Sequence, residues 1–154
     1  MPVEPCNRPR NKIENDFFGY KQVKTESNLH RYQIGAVKNA GLVDLLEVPD
    51  MSRGINAGGT NHHVAFRVKD EETLMAMREK VMQHGLQITE KIDRDYFFSL
   101  YFREPGGVLF EIATDNPGFA TDETVEELGS SLQLPDRYKA AREQIEKGLP
   151  PLVH

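Results

Sequence analysis

Tryptophan is absent from these 154 residues, cysteine occurs once, and aromatic residues make up only 8%. A single cysteine, Cys6, excludes a disulfide framework, and the lack of cysteine clusters excludes thiolate zinc sites. No apolar run is long enough to span a membrane, and Met1–Arg10 lacks the apolar core of a secretory leader. Positive charge is also in short supply. With 19 Lys+Arg against 24 Asp+Glu the formal charge is −5, and no basic stripe is present to grip a phosphate backbone. These absences predict a soluble cytoplasmic protein that binds neither nucleic acid nor membrane. The hydrophobic fraction, 38%, is low for a self-sufficient domain of this length.

What is present is organised in two unequal units and an extension. Residues 1–12 carry three prolines and read as an irregular lead-in. Ile13–Phe18 reads as a short helix stopped by Gly19. Strands are expected over Tyr20–Lys24, Arg31–Val37 and Leu42–Val48, with turn chemistry at Lys38–Gly41 between the last two. A glycine-rich connector, 50–60, follows. The second unit opens with a strand over Asn61–Val68. Asp70 then caps a helix whose apolar stripe is Leu74, Met77, Val81 and Leu86, with Gly85 as its stop. Strands over Gln87–Asp93, Tyr96–Arg103 and Val108–Thr114 complete it, the last two joined by Glu104-Pro-Gly-Gly107. The order over 61–114 is therefore β-α-β-β-β. Residues 13–48 repeat that order without its opening strand. Beyond Asn116-Pro-Gly118, Thr121–Leu128 and Asp136–Lys147 read as two helices of an arm that packs across a partner or a neighbouring module.

Sorting the second unit by its period of two separates the sheet faces. His62, Val64, Phe66 and Val68, Phe98, Leu100 and Phe102, and Val108, Phe110 and Ile112 form a bulky side suited to cover the helix. The opposite side mixes small residues, Ala65, Ser99 and Ala113, with His63, Tyr101 and Glu111, and so resembles a pocket wall. A histidine and a carboxylate converging there are first-row metal ligands in type. A second imidazole would complete the two-His-one-carboxylate set that leaves positions open on ferrous iron. Tyr101 would then serve as an acid, base or hydrogen-bond donor beside the metal. A lone histidine and a lone glutamate on strands are nevertheless more often structural or solvated. Glu111, between Phe110 and Ile112, is costly without a partner. His62 and His63 point to opposite faces if the strand is regular, so His62 reads as a hydrogen-bonding neighbour at a distorted strand end or as a structural histidine. His30, His84 and His154 read as structural, and Cys6 has no partner base.

Two segments, Gly59-Thr-Asn-His-His-Val-Ala-Phe-Arg-Val68 and Ser99-Leu-Tyr-Phe-Arg-Glu-Pro-Gly-Gly-Val-Leu-Phe-Glu-Ile-Ala-Thr114, resemble the vicinal oxygen chelate superfamily of glyoxalases, bleomycin-resistance proteins and extradiol dioxygenases. Within it they are most similar to the C-terminal half of dioxygenases that open hydroquinone-type rings, over about Phe17 to Leu152. The resemblance implies an α+β fold of paired βαβββ units forming a curved mixed sheet, with 1–116 as the module and 117–154 as a helical arm. Within that module 13–48 is the clipped unit and 61–114 the complete one. It makes His63 and Glu111 metal ligands, and it places His62, Tyr101 and Arg94 around the metal against substrate oxygens. For Arg94 the residues alone suggest only a surface charge. The implied metal is Fe(II), with Mn(II) or another divalent ion as the alternative, and the implied substrates are a small aromatic diol and O2. Members of the family carry a third ligand, a histidine, in an N-terminal module. No histidine precedes His30 here, and His30 matches no such motif. The expected partner is therefore a second copy of the chain or a separate N-terminal half. The rival readings are a non-catalytic split module and a glyoxalase-like isomerase or resistance protein.

Overall fold

The computed structural model of the chain describes residues 17–35, 41–52 and 54–150. The lead-in with Cys6, most of the helix expected over Ile13–Phe18, the end of the strand expected to Val37 with most of the turn expected over Lys38–Gly41, and His154 lie outside the described residues. The strands form two sheets. Lys21–Glu26 (β1), Leu29–Gln33 (β2) and Leu42–Leu46 (β3) make an antiparallel meander in that order. Val64–Val68 (β4), Glu71–Gln83 (α1), Ile92–Asp93 (β5), Phe97–Arg103 (β6) and Leu109–Pro117 (β7) make the second unit, with sheet order β4-β7-β6-β5. β4 runs parallel to β7 and the other pairs are antiparallel. The β-α-β-β-β order expected over 61–114 is thus the observed one.

Local chemistry explains why α1 begins and ends where it does. The Asp70 side chain accepts from Thr73 N–H at 2.9 Å, and Glu71 and Glu72 lie in the positive first turn. Gly85, at φ 74°, closes the other end in the left-handed region open to glycine. Leu74, Met77 and Val81 are buried against Leu100, Phe102, Phe110 and Ile112, with Phe17 added from the first unit. Phe18 joins this core by stacking on Phe66, with ring centroids 3.9 Å apart. The helix therefore covers one sheet face and leaves the other, with Tyr101 and Glu111, free to work.

Several expected boundaries move, each for a tertiary reason. The first hairpin turns at Ser27-Asn28, so β2 starts at Leu29 and ends at Gln33 instead of running over Arg31–Val37. Asn28 fixes that turn by exchanging hydrogen bonds with the main chain of Glu47. β4 starts at Val64, not Asn61, because its register sets Val64 against Phe110. That register leaves Asn61 and His62 opposite the Gly107–Val108 turn, where no ladder exists. The strand expected over Gln87–Asp93 shrinks to β5 and one bridge from Ile88 to Phe102. At Thr89 a side chain replaces the ladder: Tyr101 N–H donates to Thr89 Oγ1 at 3.0 Å.

The arm differs most. Thr121–Leu128 is a series of turns after a short 3-10 helix at Phe119–Thr121, not a helix. Its acidic side chains are engaged elsewhere, Asp122 by Tyr96 and Glu123 by Gly129 N–H, and Val125 is 69% exposed. Asp136–Lys147 breaks into Asp136–Lys139 (α2) and Arg142–Gly148 (α3), neither of which buries a residue. Short helices without a buried stripe have little to hold successive turns in line.

Candidate metal and substrate site

The wall of the second sheet opposite α1 gathers the site. β7 is its centre, because Glu111 faces Ala65 on β4 and Tyr101 on β6. Period two puts all three side chains on the side away from the helix. Ala65 and Ala113 keep that side low, whereas Ser99 is fully buried and does not contribute open space. His63 lies just before β4, two residues from Ala65, where the chain has left the ladder and its ring can reach across to β7.

The Glu111 side chain is 5% exposed, yet both its oxygens are satisfied. His63 Nε2 stands 2.7 Å from Oε2, and Tyr101 donates its hydroxyl proton to Oε1 at 2.7 Å. Two such bonds offset the desolvation that an isolated carboxylate would suffer in this strand. The network continues at both ends. His62 Nδ1 is 3.0 Å from His63 Nδ1, and Arg94 Nη2 is 3.4 Å from the Tyr101 hydroxyl, with its guanidinium 5.6 Å from that ring's centre. The structure therefore brings His62, His63, Glu111, Tyr101 and Arg94 into one connected chain.

Hydrogen-bond accounting assigns a duty to each member. With Nε2–H given to Glu111, a neutral His63 offers Nδ1 only as an acceptor, so His62 Nδ1–H is the donor between the two rings. Tyr101 has one proton and spends it on Glu111, so its oxygen faces Arg94 as an acceptor. Tyr101 itself is held at both main-chain groups by Thr89: its N–H donates to Thr89 Oγ1, and Thr89 N–H donates to its carbonyl, each at 3.0 Å. Sequence reasoning missed Thr89, whose only signal was a β-branched hydroxyl residue in an otherwise irregular stretch.

The donor set suits a first-row divalent ion in chemistry and in spacing. An imidazole nitrogen and a carboxylate oxygen converge at 2.7 Å, near the roughly 3 Å that adjacent ligands span when each lies about 2.1 Å from an ion. Among the described residues no third His, Cys, Asp or Glu joins them. His30 sits in β2, where Nδ1 meets Gln22 and Thr25, and His84 caps α1 with Nδ1 against Lys80 O.

Comparison with known proteins identifies the family. Residues 16–112 match the family model described as Glyoxalase/Bleomycin resistance protein/Dioxygenase superfamily. A Bacillus subtilis protein named "Putative ring-cleaving dioxygenase MhqE" is 46% identical over 141 residues, which cover 92% of this chain and 46% of that protein. The "Chlorohydroquinone/hydroquinone 1,2-dioxygenase" of Sphingobium indicum is 32% identical over 144 residues, 90% of this chain and 44% of that one. A crystal structure of a "putative dioxygenase" from B. subtilis superposes with a TM-score of 0.84 at 40% identity, covering 93% of this chain and 46% of the other. The chain thus spans about half the length of these relatives. Among the described residues no helix is long and apolar enough to cross a membrane. From its fold, its matched segment and its relatives, the chain belongs to the glyoxalase/bleomycin resistance/dioxygenase superfamily.

Proposed function

We propose that the chain forms the metal-bearing half of an extradiol-type ring-cleaving dioxygenase for a hydroquinone-like diol, working in the cytoplasm. The observation that carries this reading is the nearly buried Glu111 bridged by His63 and Tyr101 on an open sheet face. The names of the relatives point to the same chemistry. His63 Nε2 and Glu111 Oε2 would hold a divalent metal, Fe(II) first and Mn(II) or another ion second. Such an ion would supply a Lewis-acidic template on which the diol and O2 meet.

The residues around that position have separable tasks. Tyr101 occupies Oε1 of Glu111 and so presents Oε2 alone as a ligand. Once His63 Nε2 is a ligand, its proton resides on Nδ1, and His62 accepts there. His62 is then left with Nε2–H as a donor for a substrate oxygen. Arg94 places a fixed positive charge beside the Tyr101 hydroxyl and steadies a deprotonated diol oxygen. The third ligand comes from a separate N-terminal half, since a second copy would bring only another His63 and Glu111. β4 has β7 on one side only within its sheet, which leaves an edge for that partner to approach.

The experiment is iron content and O2 uptake with hydroquinone, for the wild type and for Glu111→Gln. Uptake and iron that both fall in the variant support the reading; unchanged iron occupancy sinks the ligand assignment. A second reading is favoured by the two-ligand count: a non-catalytic module that keeps the fold. A metal-free monomer by size exclusion and metal analysis would select it.

A further inference from the structure

The arm after β7 reaches back to the turn that carries Arg94. β5 and β6 are joined tightly there, with Arg94 N–H donating to Phe97 O at 2.9 Å. Asp95 sits at φ 67°, a left-handed conformation that an aspartate tolerates with local hydrogen bonding. One such bond lies within the turn, from Asp95 N–H to Asp93 Oδ1 at 2.8 Å. The others come from the arm. Arg137 grips both oxygens of the Asp95 carboxylate at 2.9 Å, from 42 residues away. Tyr96 donates its hydroxyl to Asp122 at 2.7 Å and stacks on Phe119, with centroids 5.2 Å apart. Gly118 N–H also donates to Tyr96 O at 2.9 Å. Both residues that follow Arg94 are thus pinned by the arm, while the Arg94 side chain itself contacts Tyr101.

We propose that the C-terminal arm is a strap that positions Arg94, with Arg137 as its principal positioning residue acting through Asp95. The inference rests on reading Arg94 as a substrate contact. Arg137 is exposed, and an exposed ion pair adds little to global stability. Its two-pronged geometry instead fixes the direction of a strained turn, and with it the guanidinium next door. Losing that fix misplaces a charge without removing it, so binding suffers more than turnover.

The test uses the full chain with Arg137→Ala and Arg137→Lys. Amide exchange over 93–97 should speed by about tenfold or more in Arg137→Ala, while α1 stays protected. KM for hydroquinone should rise about tenfold with kcat changed far less, and Arg137→Lys should recover part of the loss. Placed on an Arg94→Ala background, Arg137→Ala should add nothing. Unchanged exchange over 93–97 overturns the strap, whether or not the chain turns over substrate. Faster exchange with kinetic losses that add to those of Arg94→Ala overturns the positioning role. If the wild type neither turns over nor binds hydroquinone, ring cleavage by this chain without its other half fails and the exchange result alone decides the strap.

Discussion

The two units of this chain share an antiparallel three-strand run but not a way of burying themselves. In the second, α1 lies over one sheet face and drives Leu74, Val81, Leu100 and Ile112 to zero exposure. In the first, every residue of β1 is exposed, and Leu42 and Leu46 are 55% and 53% exposed. Its fully buried large side chain is Tyr32, and its Phe17 is lent to the other core. The difference teaches where function can sit. A sheet with a covered face can afford open ground on the other side, and that is where Glu111 and its neighbours lie. The low hydrophobic fraction noted in the sequence is therefore concentrated in its effect: the second unit is packed, and the first is thinly covered.

The largest expected effect breaks that comparison most directly. Leu100→Ala removes a fully buried side chain and should cost about 2–5 kcal/mol by urea unfolding. Leu46→Ala, half exposed in β3, should stay within about 0.5 kcal/mol. Equal costs in the two variants would show that the first sheet is as well packed as the second. Next comes the open face. Tyr101→Phe frees Oε1 of Glu111 and should weaken divalent-metal binding roughly 10–100-fold, read by titration with Mn(II). The fold should be unaffected, because Tyr101 lies opposite the helix. No change in affinity would mean that Glu111 needs no orienting partner.

Much of this was legible in the sequence because it is local. Asp70, the 74-77-81 stripe and Gly85 specify α1, and Glu104-Pro-Gly-Gly107 specifies the β6–β7 hairpin. Alternation then sorts His63, Tyr101 and Glu111 to one face without any knowledge of their partners. The rest depends on contacts distant in sequence. His62 leaves the strand because β7, the partner of β4, has not yet begun opposite it, and His63 stands only at its first residue, which no pattern within 61–68 reveals. Arg94 looks like a surface charge until Asp95, held by Arg137 across 42 residues, turns it toward Tyr101. The acidic stretch 121–128 has helical composition, but Asp122 and Glu123 serve as tethers instead.

Two smaller effects sharpen the picture of how the second unit is bounded. The Thr73 hydroxyl and amide hold the Asp70 carboxyl down at about 2, against its ordinary 3.8. Its contribution is therefore complete above pH 3.8 and lost as pH falls through 2. Asp70→Ala should lower Tm by a few degrees at neutral pH, with the difference from wild type fading over that acid window. A difference that persists below it would assign the effect to something other than the cap. Smaller still is the tether on the arm. Tyr96 is pushed up to about 12, first by its hydrogen bond to Asp122 and then by burial. Stability from this bond is full below the ordinary tyrosine value of 10 and fades as pH rises through 12. Spectrophotometric titration should show a late phenol that is absent in Tyr96→Phe. A titration curve that the substitution leaves unchanged at its late end would deny the tether.

The central claim is that His63 and Glu111 together hold a divalent metal on the uncovered face. Its most direct test is metal occupancy after anaerobic reconstitution with Fe(II), comparing wild type with Glu111→Gln and with His63→Ala. The account predicts that each substitution lowers affinity by more than about a hundredfold, beyond what an orienting partner costs, while α1 keeps its exchange protection. Wild-type occupancy in either variant would contradict it.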